Sequence, residues 1–161
     1  MVPEDGPARL GRYLRQQDVA AEIVFPGAPT PTVPNAAAAL GVAPAQIVKS
    51  LLFEGRDGDL VLAVLAGDQR VDRRKLIAVS GLRQPKLADP ALVLARTGYP
   101  AGGTPPVGHR EPLRVLLDRA LLAEPVVFGG GGSDRAMLRI APAEIVRLTG
   151  ATVADLGRED A

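Results

Sequence analysis

The run Ile47-Val48-Lys49-Ser50-Leu51-Leu52-Phe53, the turn Glu54-Gly55-Arg56-Asp57-Gly58 and the run Asp59-Leu60-Val61-Leu62-Ala63-Val64-Leu65-Ala66 decide how this chain folds. Two apolar runs around a turn rich in glycine and aspartate form a β-hairpin. The second run is apolar without a break, so both its faces are covered and it belongs in the middle of a sheet. The first run holds a lysine. An unpaired lysine is costly to bury, so Lys49, one strand from the sheet centre, needs a reason. A strand-edge lysine with its head in solvent is the plain alternative.

The rest of the chain builds outward from this hairpin. Residues 7–17 carry Leu10, Tyr13 and Leu14 at helical spacing, and residues 21–25 read as a short strand stopped by Pro26-Gly27. Pro29-Thr30-Pro31-Thr32-Val33-Pro34 reads as extended, either a connector or the rim of a cleft. Residues 35–40 are a helix of small side chains closed by Gly41, and Pro44 opens a helical turn through Gln46.

Beyond the hairpin, Gly67-Asp68 ends the central strand, either as site residues or as a plain turn. Asp72 is placed to cap a helix that stops at Gly81, residues 82–87 a short edge strand, and Asp89-Pro90 to open a helix that stops at Gly98. A strand over 113–118, a helical turn over 119–123 and a strand pair over 126–128 and 136–140 follow. A helix over 142–148, a last strand over 151–156 and a polar tail over 157–161, expected to fray, close the chain. Hairpins plus crossovers imply an α+β fold in one domain spanning 1–161. Its sheet is mixed, mainly antiparallel and partly barrel-like, with helices on its flanks.

Composition narrows the chemistry. The net charge of +1 gives no global basic field, so contact with nucleic acid must be local. Arg70, Arg73, Arg74 and Lys75 are a candidate patch, or simply a solvated helix face. The chain has no cysteine, which removes thiol nucleophiles and thiolate metal sites. One histidine, His109, rules out a multi-histidine metal site, and a lone histidine of this kind reads as solvated. No apolar run reaches the roughly 20 residues of a bilayer span. The acidic N-terminus is unlike a signal peptide, so a soluble, cytoplasmic protein is expected.

A second stretch draws attention: Gly98-Tyr99-Pro100-Ala101-Gly102-Gly103-Thr104-Pro105-Pro106-Val107-Gly108. Adjacent glycines bare the backbone N–H groups and adjacent prolines stiffen the loop. With Lys49 opposite, such a loop suits a carbonyl or a phosphate. The four glycines 129–132 lack the lysine and hydroxyl of a phosphate loop and read as hairpin flexibility. Asp118, at a strand end, either orients Lys49 or a substrate amine, or caps the following turn.

Taken in order, Leu40-Gly41-Val42, the 46–53 run around Lys49, Gly67 to Asp72, Thr97-Gly98-Tyr99, the Gly-x-x-x-Pro loop from Gly102 to Pro106, and Val115-Leu116-Leu117-Asp118 resemble one family. It is the YbaK/prolyl-tRNA synthetase-associated domain family, and the resemblance runs from about residue 20 to 155. It implies trans-editing: hydrolysis of the ester between a wrong amino acid and a tRNA, with water activated by the substrate itself and with no cofactor or metal. It implies Lys49 and Gly102 as catalytic residues. The loop positions the aminoacyl carbonyl, and Ser50, Gly67, Asp68, Gly103, Thr104, Pro105, Pro106 and Asp118 contact the substrate. Partners would be the acceptor end of an aminoacyl-tRNA and, through the family's link to prolyl-tRNA synthetase, a synthetase. The Lys-Ser-Leu-Leu-Phe form is closer to relatives acting on small hydroxylated residues than to the Cys-tRNA(Pro) type. A non-catalytic binding module and a synthetase-docking scaffold are the alternatives.

Overall fold

The structure is a computed structural model that describes residues 5–27 and 32–158. Helix α1 (Gly6–Gln16) is capped by the Asp5 side chain and buries Leu10 and Leu14. Strand β1 (Glu22–Val24) follows. Helix α2 (Val33–Leu40) begins earlier than its small-residue run implied. Thr32 caps it by accepting from the Asn35 N–H, and Pro34 sits in the first turn, where a missing N–H costs nothing. Val33 and Pro34 are therefore helical, not part of an extended connector; residues 28–31 of that connector lie outside the described residues.

Strands β2 (Val48–Glu54) and β3 (Leu60–Ala66) pair antiparallel along their whole length, Val48 opposite Ala66 and Glu54 opposite Leu60. Helix α3 (Arg73–Ser80) is capped by Asp72, which accepts from the Lys75 N–H at 3.1 Å. That bond is the main reason the Asp72 carboxyl titrates below its ordinary range. Strand β4 shrinks to Lys86–Leu87. Helix α4 (Pro90–Thr97) starts after Asp89, whose side chain makes no capping bond.

Strands β5 (Val115–Asp118), β6 (Val127–Gly130) and β7 (Met137–Ile140), helix α5 (Pro142–Thr149) and strand β8 (Thr152–Ala154) complete the fold. The tail does not fray at once: Gly157 bridges Val71 and the Arg158 N–H donates to the Arg70 carbonyl at 2.7 Å. Two main-chain contacts to the α3 approach hold it where composition alone suggested a free end. Residues 159–161 lie outside the described residues.

The fold is α+β with mixed, mainly antiparallel pairing, as its sequence indicated, but the strands divide between two sheets. One has the order β4-β2-β3-β5-β8 and the other β1-β7-β6. In the first, β3 pairs parallel with β5, and β5 with β8. Every residue of β3 from Val61 to Ala66 is buried. Alternation sends Leu62 and Val64 to the main core with Leu10, Leu117, Leu138 and Ile145, and Val61 and Ala63 to a second cluster with Leu76 and Leu116. Each large side chain contributes about 1.5–3 kcal/mol by leaving water, so β3 fixes the sheet. The two sheets touch through a parallel bridge between Ile47 and Phe128, then splay apart.

Candidate active site

A cavity of about 150 Å³ lies where the sheets splay. One wall is residues 47–51, which include Lys49 and Ser50; the loop residues Ala101, Gly102 and Thr104 form another. Thr32, Val33 and Ala36 at the start of α2 and Gly130, Ser133, Ala136 and Met137 close it. The lysine strand and the glycine-bared loop, 50 residues apart in sequence, thus share one cavity. Consecutive strand residues point to opposite faces, so five in a row line a single space only at the strand's edge. What β2 presents there is largely main chain.

The loop is rigid for reasons that reach beyond its prolines. The Tyr99 N–H donates to Thr97 Oγ1 at 3.0 Å, and Thr97 Oγ1 donates to the Val93 carbonyl at 2.7 Å. The Gly103 N–H and Thr104 Oγ1 both donate to the Pro100 carbonyl at 2.9 Å. Arg9 reaches over from α1, donates to the Gly98 carbonyl and lies 4.7 Å over the fully buried Tyr99 ring. His109 is not solvated. Its Nε2 meets the Pro105 carbonyl at 2.7 Å, so Nε2 carries the proton and donates. Burial lowers the imidazole's pKa, and the bond to Pro105 offsets this in part.

The glycine run 129–132 has a different use from the flexibility its sequence suggested. A Cβ at Gly130 would lie 2.3 Å from the Thr104 carbonyl oxygen, and one at Gly103 would lie 2.7 Å from the Ser133 nitrogen. The Gly132 N–H donates to the Gly103 carbonyl at 2.9 Å. Two bare backbones are pressed together, and this contact carries the loop to the cavity. Gly102 differs: a Cβ there would meet nothing within 4 Å, so it faces open space.

Lys49 is half-buried, and its Nζ donates to the Gly67 carbonyl at 3.4 Å and to the Gln69 carbonyl. Three ammonium donors leave one for another partner. Burial lowers the Lys49 pKa, the Arg70 charge lowers it further, and Asp68 acts in the opposite sense. Gly67 is bare because α2 packs on it: a Cβ would come 2.5 Å from Val33 Cγ2.

The other expected site residues fall elsewhere. Pro105 and Pro106 are buried behind the loop, Pro106 against Gly129. Asp68 and Asp118 line a second cavity, of about 620 Å³, with Gln69, Arg119, Asp155 and Arg158. Asp118 makes no capping bond to the turn that follows it; its Oδ1 accepts from the Leu156 N–H at 2.9 Å and ties β5 to the chain beyond β8. Among the described residues, no three carboxylates or histidines converge as a metal site. Thr32 and Val33 lie in the segment marked as a connector or cleft rim, whereas Ala36, Ala136 and Met137 look like ordinary core residues and were missed.

Main-chain edges, a lysine and small side chains line a compact space. The family comparison gives that space its context. The chain matches the model of the aminoacyl-tRNA editing domain over residues 27–148 and belongs to that family. It is 34% identical over 114 residues to the uncharacterized protein YwhH of Bacillus subtilis, covering 71% of this chain and 72% of that one. It is 33% identical over 122 residues to the proline–tRNA ligase of Desulforamulus reducens, covering 75% of this chain but only 21% of the ligase. A crystal structure described as a "putative trans-editing enzyme for prolyl tRNA synthetase" superposes with a TM-score of 0.89 at 38% identity, covering 98% of this chain and all of that one. No helix among the described residues is long and apolar enough to cross a membrane.

Proposed function

We propose that this protein hydrolyses the ester of mischarged aminoacyl-tRNA, with the aminoacyl end of the acceptor strand held in the seam cavity. The observation that carries this is the shared cavity: Lys49 and Ser50 on one wall, Ala101, Gly102 and Thr104 on another. Membership of the editing family supports this substrate class.

The chemistry is modest, as an ester allows. Residues 101–103 form a 3₁₀ turn, whose first amides have no partner inside the turn. The Gly102 N–H is one of these, and it faces the carbonyl whose oxygen gains charge as water attacks. A preorganised donor of this kind is worth about 3–4 kcal/mol in the transition state. Lys49, braced by the Gly67 and Gln69 carbonyls, supplies fixed positive charge beside the ribose and its phosphate. Water is activated by the substrate, because the wall offers no general base. Val33, Ala36, Ala136 and Met137 leave room for a small side chain only, which favours small amino acids over bulky ones. A synthetase is a natural partner, because the same domain occurs within a proline–tRNA ligase.

The test is a screen of purified protein against tRNAs mischarged with different amino acids, with Lys49→Ala as control. Release of a small amino acid by the natural protein and not by the variant is the expected result. No turnover above buffer on any tRNA overturns the proposal. A second reading, binding without hydrolysis, draws on the two hydrogen bonds that already engage Lys49. Saturable binding of an aminoacyl-tRNA without release would favour it.

A further inference from the structure

Among the described residues, strand β2 has an edge at the cavity that no neighbouring strand of its sheet pairs along its whole length. In an antiparallel ladder both main-chain groups of a residue point to the same neighbour, and the direction alternates along the strand. The Ile47 carbonyl accepts from Gly67 in the extension of β3, so odd-numbered residues of β2 face β3. The Leu52 carbonyl accepts from the Ala88 N–H on the opposite side, so even-numbered residues face away from β3. On that side β4 pairs only with Phe53 and Glu54, and the bridge to Phe128 is made at Ile47. Ser50 lies between these two contacts. On that outward side neither the β3 nor the β4 ladder pairs with it. Its Oγ is also buried without a partner. One residue thus brings an outward-turned N–H and C=O and an unpartnered buried hydroxyl to the wall of the cavity, where a buried polar group calls for a partner.

An open strand edge pairs with another piece of extended main chain. An aminoacyl ester is one residue of such a chain: an ammonium, a Cα and a carbonyl. We infer that Ser50 pairs with the aminoacyl group as with a one-residue antiparallel strand. The Ser50 carbonyl accepts from the substrate's α-ammonium, and the Ser50 N–H donates to the ester carbonyl. This rests on the deacylase reading and adds a selectivity to it: the site requires a free α-amine. The bond to the ammonium is charge-assisted, roughly twice as strong as a neutral one. An N-acylated ester loses that charge, keeps a single N–H, and brings extra atoms into a space of about 150 Å³. Substrates are then aminoacyl-tRNAs, and peptidyl- or N-blocked tRNAs are refused.

The experiment uses one tRNA carrying the same small side chain in three forms: aminoacyl, N-acetyl-aminoacyl and the α-hydroxyacyl analogue. Each rate is divided by the spontaneous hydrolysis of that ester in buffer, because the ammonium itself activates the ester. The N-acetyl form is expected to be cut at least about 100-fold less efficiently and to compete poorly for the protein. The hydroxyacyl form, similar in size but uncharged, is expected to lose about tenfold, which is 1.4 kcal/mol. Equal normalised rates for all three overturn the pairing and leave the deacylase reading standing. Refusal of the acetyl form with full use of the hydroxyacyl form means size alone selects, which also overturns it. If the aminoacyl form is not released, the deacylase reading has failed; a competition measurement in which the acetyl form matches the aminoacyl form in affinity then overturns the pairing separately.

Discussion

Two cavities of this molecule are built from different materials. The smaller is walled by a strand edge, bare glycine backbone and short apolar side chains. The larger is walled by carboxylates and guanidinium groups, Asp68, Asp118, Asp155, Arg119 and Arg158 among them. Sequence reasoning marks both, the lysine and bare loop of the first and the strand-end aspartates of the second. The geometry places the lysine strand and the glycine-bared loop around the first. The acids have structural partners: Asp118 holds the Leu156 N–H, and Asp155 pairs with Lys75 at 2.8 Å. Bare backbone shows in a sequence where glycines adjoin prolines, as in the 98–108 loop, but not at a strand edge such as Ser50.

Several substitutions would break or sharpen this contrast. The largest effect is expected for Lys49→Ala, which should lower kcat/KM for ester release by about 100-fold or more, the scale of losing one preorganised donor. If release is unchanged, the lysine only braces the turn at residues 67–69. Next come the glycines. Gly130→Ala drives a methyl into the Thr104 carbonyl, and thermal unfolding should show a loss of about 1–3 kcal/mol or more. Gly102→Ala meets no atom within 4 Å, so its melting temperature should hold while turnover falls. Equal destabilisation by both would mean that the loop is all packing and no site.

Asp118→Ala leaves the buried Leu156 N–H without its acceptor. It should cost about 1–3 kcal/mol of stability and leave kcat close to the natural value. A selective loss of kcat with full stability would return Asp118 to the chemistry. His109 should give a smaller, pH-dependent effect. Burial lowers its folded pKa, so the unfolded chain takes up a proton first as pH falls below about 6.5. The stability contributed by the neutral ring is complete above that pH and is lost as pH falls through the folded value. Denaturant titrations of His109→Gln, which can still donate to Pro105, should lack that slope between about pH 5 and 7. The smallest effect is expected for Asp68→Asn. Asp68 opposes the lowering of the Lys49 pKa, so its removal should move the alkaline limb of the rate profile to lower pH. A shift upward would show that Asp68 acts on some other group.

Much of the fold was legible because local signals agreed with the packing. The unbroken apolar run of β3, the turn before it, and the Asp72 and Gly81 ends of α3 all lie where the pattern puts them. Lys49 and the 102–106 loop stood out for chemical reasons, a charge in an apolar run and bare backbone between prolines. The remaining walls were not legible. Ala36 and Met137 belong to a core cluster, and nothing in their own sequence says that the cluster stops short of filling its space. The 129–132 glycines read as slack because the backbone they touch, at residues 103–104, is remote in sequence.

The sequence by itself determined where most strands and helices lie and that two neighbouring strand pairs form hairpins, since apolar periodicity and turn signals are local to a segment. It also directed attention to one lysine and a stiff loop, since the chain has no cysteine and a single histidine. Only the tertiary structure decided that two sheets meet at Ile47, that Ser50 lies between the contacts of β2 with β4 and with Phe128, and that Asp118 accepts from the Leu156 N–H. Those facts depend on where β4 stops and on where bare backbone meets bare backbone. Both are settled by packing between segments that carry no mark of each other.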